Sequence, residues 1–223
     1  MQHLRANTPR LPCLGTSPPW TPVVLTALMG LLCYGCQSAA DPISGPVAES
    51  TFLASTIERH PDGALAKGLL SAPTTIHGMP CQGWVRLLPD GRLSSWELAA
   101  NTTIQGHELP AASYVWLDDE ARLQTCFLSR DTTIQGFLCR GGPFKIATSF
   151  HTSGTLRAFF PRAPVTIDGI TCASTTQAPV VLYEDGKLAS CRLATDTTIH
   201  GATVRSGSTI HLAPDGHRIE APR

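Results

Sequence analysis

Proton transfer at neutral pH calls for a histidine or carboxylate held close to the group it serves, and this chain brings few such side chains together. His107-Glu108 is an adjacent pair, but it stands beside a glycine and reads as part of a loop rather than as a general base. His151 and Asp168 are the other residues that a site assembled from distant segments would recruit. Nucleophile and metal motifs are missing: there is no Gly-x-Ser-x-Gly, no His-Glu-x-x-His, no phosphate-binding glycine loop and no acidic calcium loop. We therefore assign no catalytic, cofactor-binding or metal-binding residue and expect no cofactor. An enzyme built from His107, Glu108, His151 and Asp168 stays as the alternative.

Cysteine is the other reactive side chain, and the sequence holds 8. Cys13, Cys33 and Cys36 lie near the N-terminus; Cys81, Cys126, Cys139, Cys172 and Cys191 follow. None has the Cys-x-x-Cys spacing of a zinc site. In an exported chain disulfides are allowed, and Cys172 with Cys191 and Cys126 with Cys139 are the candidate pairs, with one cysteine left over. The alternative is that all five are small buried apolar residues, because Leu109, Val204 and Trp96 stand at equivalent places.

Those equivalences come from a tandem repeat. Asp196-Thr197-Thr198-Ile199-His200-Gly201 recurs as Thr74-Thr75-Ile76-His77-Gly78, Asn101 to Gly106, Asp131 to Gly136 and Thr166-Ile167-Asp168-Gly169. Between copies lies a tight-turn sequence, Pro61-Asp62-Gly63, Pro89-Asp90-Gly91, Ser153-Gly154, Glu184-Asp185-Gly186 and Pro214-Asp215-Gly216, with Ala121 in the glycine position of the third copy. The spacing of about 30 residues is that of a tandem array. It amounts to about five and a half units.

Leu87, Leu117, Phe150, Leu182 and Leu212 precede the turns by four residues, and Val85, Val115, Val180 and Ile210 precede them by six. That period of two belongs to strands with one buried face. A turn between two such runs predicts a β-hairpin, with proline presetting the first turn residue, aspartate bonding back to the backbone and glycine left-handed. The turn aspartates are thus needed by the hairpin, which argues against a row of calcium ligands. Thr-Thr-Ile-x-Gly predicts a short third strand ended by a bend. Its variable residue, His77, Gln105, Gln135, Asp168 and His200 in turn, reads as a solvated face. Arg59, where other copies have leucine or phenylalanine, fits a capping unit; Ala121 fits no rule.

The N-terminal stretch is different. Arg5 and Arg10 precede a proline-rich run and an apolar segment from Val23 to Leu32. This is too short for a membrane helix, which needs about 20 residues, and suits a secretory signal. Leu31-Leu32-Cys33-Tyr34-Gly35-Cys36 resembles the lipobox of bacterial lipoproteins, which implies a lipid on Cys36. Cleavage after Ser38-Ala39-Ala40, releasing a soluble protein from Asp41, is the alternative. The expected organisation is a signal over 1–36, a flexible tether over 37–50 and a β-repeat domain over 51–223.

With 17 basic and 17 acidic residues the whole chain is formally neutral, and loss of Arg5 and Arg10 with the signal leaves the rest slightly acidic. No basic patch is evident, so nucleic acid is not an expected partner. The run Leu182-Tyr183-Glu184-Asp185-Gly186-Lys187-Leu188 and its recurrence resemble the hairpins of MORN-variant repeat proteins, found in many bacterial envelope lipoproteins. The resemblance implies stacked hairpins used as a surface or scaffold and carries over no functional residue. The expectation is an all-β tandem hairpin array that curls toward a barrel, with a β-solenoid as alternative. In function it is a non-enzymatic exported lipoprotein, anchored in the cell envelope at the outer membrane or periplasmic face. It would offer its repeat surface to an envelope protein or glycan, or serve as a structural spacer.

Overall fold

A computed structural model of the chain describes residues 47–144 and 146–219. Cys36, the expected signal and most of the expected tether lie outside them. Of the tether, Val47 packs against the core and Glu49–Thr51 forms a turn of 3-10 helix.

The strands follow the repeat. The first unit holds β1 (Glu58–Arg59), β2 (Leu65–Leu69), β3 (Thr74–Ile76) and the start of β4 (Met79–Leu87). β5 (Leu93–Leu98), β6 (Thr102–Ile104) and β7 (His107–Leu109) complete the second. The third has β8 (Tyr114–Leu117), β9 (Leu123–Phe127), β10 (Thr132–Ile134) and β11 (Phe137–Cys139). The fourth has β12 (Ala147–Phe150), β13 (Leu156–Phe159), β14 (Val165–Ile167) and β15 (Ile170–Cys172). The fifth has β16 (Val180–Leu182), β17 (Leu188–Arg192), β18 (Thr197–Ile199) and β19 (Ala202–Val204), and β20 (Thr209–Leu212) with β21 (Arg218–Ile219) forms the terminal half.

The fold is all-β. The turn hairpins pair edge to edge into one antiparallel sheet, in the order β1-β2-β4-β5-β8-β9-β12-β13-β16-β17-β20-β21. The sheet stays open, with β1 and β21 at its two ends, so it does not close into a barrel. Every pairing is antiparallel between neighbours in the repeat, as a hairpin array requires and a parallel coil would not allow.

The turns have the expected chemistry. Gly154 N–H donates to His151 O at 2.9 Å, His151 N–H donates to Thr155 O at 2.8 Å, and Gly154 has φ +84°. The same pair of bonds closes the turns at Gly63, Gly91, Ala121, Gly186 and Gly216. Ala121 is held at φ +62°, a conformation that costs an L-residue about 1 kcal/mol. The turn aspartates accept from the backbone two residues on, as Asp90 Oδ1 does from Arg92 N–H at 3.0 Å and Asp185 Oδ1 from Lys187 N–H at 3.1 Å.

Thr-Thr-Ile-x-Gly departs from the expected single strand and bend. It is the first half of a second hairpin: β6 pairs with β7, β10 with β11, β14 with β15, β18 with β19, and β3 with the start of β4. The two central residues of each turn are left-handed, for example Gln135 at φ +48° and Gly136 at φ +85°. Positive φ at both centres matches the right-handed twist of the flanking strands.

These small hairpins form a second layer on one face of the sheet, and the core lies between the layers. From the hairpins come Ile76, Ile104, Ile134, Ile167 and Ile199, with Cys81, Leu109, Cys139, Cys172 and Val204 across the turn. From the sheet come Val85, Leu93, Trp96, Val115, Leu123, Cys126, Phe150, Phe159, Leu188 and Cys191. At the N-terminal end Arg59 pairs with Glu49 at 2.7 Å, which gives the edge strand a charged, capped border.

Candidate functional site

Polar columns of the repeat are used by the fold. Gln135 Nε2 donates to Gly154 O at 3.0 Å, and its Oε1 accepts from Leu156 N–H at 2.9 Å. Gln105 does the same to Ala121 O and Leu123 N–H, both at 2.9 Å. Asp168 Oδ2 accepts from Leu188 N–H at 2.8 Å. His77 and His200 donate from Nε2 to Gly91 O at 3.1 Å and Gly216 O at 3.2 Å. The column read as a solvated face is therefore a row of latches, each tying a small hairpin to the following sheet turn. What its side chains share is reach and a polar atom.

A second row runs along the sheet turns. His60 Nε2 donates to Leu87 O at 2.9 Å, His151 Nε2 to Leu182 O at 3.0 Å, and the Tyr183 hydroxyl to Leu212 O at 2.5 Å. Each bond spans from one sheet turn to the next. A third row secures the return from small hairpin to sheet: Asn101, Asp131 and Asp196 accept from Ala111, Gly141 and Ser206 N–H at 2.9, 3.0 and 2.7 Å.

These bonds account for three of the four residues weighed for catalysis. His151 and Asp168 are latches. His107 is buried, stacks on Phe150 with ring centroids 4.8 Å apart, and donates from Nε2 to Gly154 O at 3.0 Å. Glu108 is exposed on β7. Among the described residues no group of three or more His, Cys, Asp or Glu is placed to hold a metal ion.

The five described cysteines are buried free thiols in this structure. Both candidate pairs are neighbours across the seam between layers, where Cys172 and Cys191 interact directly and Cys139 lies close enough to Cys126 to disfavour its thiolate. Burial pushes the Cys81 and Cys139 thiols up to about 12, and burial together with Cys139 pushes Cys126 to about 12. The Cys191 thiol, with burial, raises Cys172 as well. The four thiols so raised are poor nucleophiles at neutral pH, whereas the contact with Cys172 lowers Cys191.

Two other features have the form of a surface for ligands. One is the outward face of the sheet, where cross-strand register sets Lys67, Arg86, Ser95, Trp116, Thr125, Ser149, Ala158, Val181, Ser190 and His211 in one row. Beside it run Gln82, Glu97, Tyr114, Phe127 and Ala147. Tyr114, Trp116 and Phe127 touch at ring centroid distances of 4.2 and 4.9 Å, and Trp84, 40% exposed, carries the Lys67 ammonium 4.5 Å from its ring centroid. The face thus grades from cationic to aromatic to small. The period of two that marks Val85 and Val115 as buried also assigns Trp84, Tyr114 and Trp116 to the opposite face, a signal present in the sequence but not drawn from it above.

The other feature is concave. A cavity of about 860 Å³ lies between the layers toward the N-terminal end. A shallower polar groove of about 550 Å³ runs between the second and third small hairpins, past Thr103, Glu108 and Asp131.

No protein-family profile, no curated protein and no solved structure matches this chain.

Proposed function

We propose that this protein is a non-enzymatic lipoprotein of the cell envelope that presents the outward face of its repeat sheet to a partner protein or glycan, in the manner of the MORN-like arrays its turns resemble. The observation that carries the reading is the partly exposed aromatic group Trp84, Tyr114, Trp116 and Phe127 on that face. Aromatic side chains supply large contact area at low conformational cost and are enriched where proteins bind. Elsewhere the repeated polar positions are tied into the fold. The anchor is Cys36, whose lipid would hold the array at a membrane while the slightly acidic body stays in the aqueous phase.

Binding of the Cys36→Ser chain to isolated envelope fractions tests the surface reading apart from the anchor. It should be saturable, and Trp84→Ser/Trp116→Ser should weaken it by roughly tenfold or more. Unchanged binding by the folded double variant would contradict the reading. The intact mass of the native protein tests the anchor: a diacylated chain beginning at Cys36 is expected, and an unmodified chain beginning at Asp41 would remove it.

A further inference from the structure

The seam between the layers repeats one pairing of side chains, and at the fourth small hairpin that pairing sets sulfur against sulfur. There Ala173 N–H donates to Arg192 O at 2.7 Å and Ala194 N–H to Thr171 O at 2.9 Å, which places Cys172 of β15 opposite Leu193. Cys191 of β17 stands two residues before Leu193 and so on the same face of its strand. Both cysteines are fully buried, and their side chains hydrogen-bond to each other. The same two positions hold Cys81 with Trp96, Leu109 with Cys126 and Cys139 with Phe159 at the other hairpins, a small side chain against a larger one each time. The Cys81 thiol donates to Met79 O at 3.3 Å and the Cys139 thiol to Phe137 O at 3.5 Å, whereas the matching contact of Cys172 with Ile170 O is stretched to 3.8 Å. The other candidate pair is not presented in this way. Arg140 N–H donates to Phe160 O at 2.7 Å and Cys139 bridges to Pro161, so β11 delivers Cys139 to the strand that carries Phe159, while Cys126 lies on β9 with Val115 and Thr148 as its neighbours in the sheet.

We propose that Cys172 and Cys191 form a disulfide bond that fastens the fourth small hairpin to β17, and that Cys81, Cys126 and Cys139 remain thiols. The bond rests on the export part of the function proposed above, because an exported chain meets an oxidising compartment. It forms by exchange with a donor disulfide, carried by a thiol oxidase or by oxidised glutathione. The Cys191 thiolate attacks one donor sulfur and expels the other as a thiolate. The Cys172 thiolate then attacks the Cys191 sulfur of the mixed disulfide and expels the second donor thiolate. Two thiol protons and two electrons leave the chain, and the donor disulfide becomes two thiols. Both sulfurs are sealed in the finished fold, so the exchange precedes docking of the hairpin on the sheet.

The test refolds the purified full chain in mixed reduced and oxidised glutathione. Thiols are blocked with one alkylating reagent in denaturant, disulfides are reduced and blocked with a second, and the peptides are mapped by mass. Cys172 and Cys191 should carry the second reagent, and Cys81, Cys126 and Cys139 the first. The oxidised chain should melt about 5–10 °C above the reduced one, the shift that closing so short a loop gives in a domain of this length. Cys172→Val, which copies Val204, should abolish that difference, and Cys191→Ala serves if that variant does not fold. Cys172 and Cys191 both carrying the first reagent would overturn the proposal, and so would a bond between Cys126 and Cys139. The same mapping on protein taken directly from its cells separates the bond from export: thiols at 172 and 191 there, with the bond formed in glutathione, would contradict export and leave the pair standing.

Discussion

The two kinds of hairpin in each repeat are held in different ways. A sheet hairpin has neighbours on both sides and inherits the cooperativity of the ladder. A small hairpin pairs two short strands and meets the sheet's backbone at few points, such as Arg162 N–H to Leu138 O and Ala194 N–H to Thr171 O, a size that is at best marginal alone in water. It persists because it buries one isoleucine and the residue opposite the first threonine, and because its turn side chain is bonded to the next sheet turn. The sheet is thus the frame, and the small hairpins are clips whose stability is borrowed from the seam. The clips cover one face of the sheet and leave the other uncovered.

The seam is most easily broken by charging it. Cys81, Cys126 and Cys139 have folded pKa values raised from 9 to about 12. The stabilisation tied to their neutral thiols is complete below pH 9 and is lost as pH rises toward 12. Each pH unit in that window removes about 1.4 kcal/mol per thiol, so the three thiols together remove an amount of the same order as an ordinary stability of about 5–15 kcal/mol by pH 12. Thermal melts from pH 7 to 11 should show Tm falling steeply above pH 9, and more shallowly for Cys139→Val, which copies Val204 at the same position. A Tm flat to pH 11 would mean that the thiols are not sealed in the seam.

Removing a clip's anchor comes next. Ile134, 1% exposed, should cost about 3 kcal/mol as Ile134→Ala in denaturant unfolding. Hydrogen exchange should then accelerate first in β10 and β11 and only later in the sheet. The latch is worth less: Gln135→Ala removes two hydrogen bonds and should cost about 1–2 kcal/mol. Gln135→Glu keeps the acceptor for Leu156 but loses the donor to Gly154, and should fall between. The smallest effect has the opposite sign. Ala121→Gly relieves the left-handed alanine and should raise stability by about 1 kcal/mol, where the same change at an unstrained turn would not.

Much of the frame could be read from the residues. Leucines at fixed distances from Pro-Asp-Gly turns define strands, faces and register, and the buried columns containing Cys81 and Cys126 follow from the same alignment. The clips were only half legible. Their turns are His-Gly, Gln-Gly and Asp-Gly, not mainly the Asn-Gly that announces a two-residue hairpin, and the returning strands, such as His107-Glu108-Leu109, are too short to show a period. The latches were hidden for another reason: His, Gln and Asp share no chemistry beyond a polar atom of the right reach, and the backbone they reach lies 14 to 21 residues downstream. Ala121 looked like an exception to the turn rule and proves to be an alanine forced into the glycine conformation. The cavity is lined by side chains from several units, which no reading along the chain can supply.

Photocrosslinking from both faces of the native protein in intact cells tests the central claim most directly. A photoreactive side chain at Trp116 samples the outward face of the sheet, and one at Thr133 samples the clips. The account predicts a discrete crosslinked partner from position 116, lost in the Trp84→Ser background, and none from position 133. A partner captured from 133 and not from 116 would place the binding surface on the clips and contradict it.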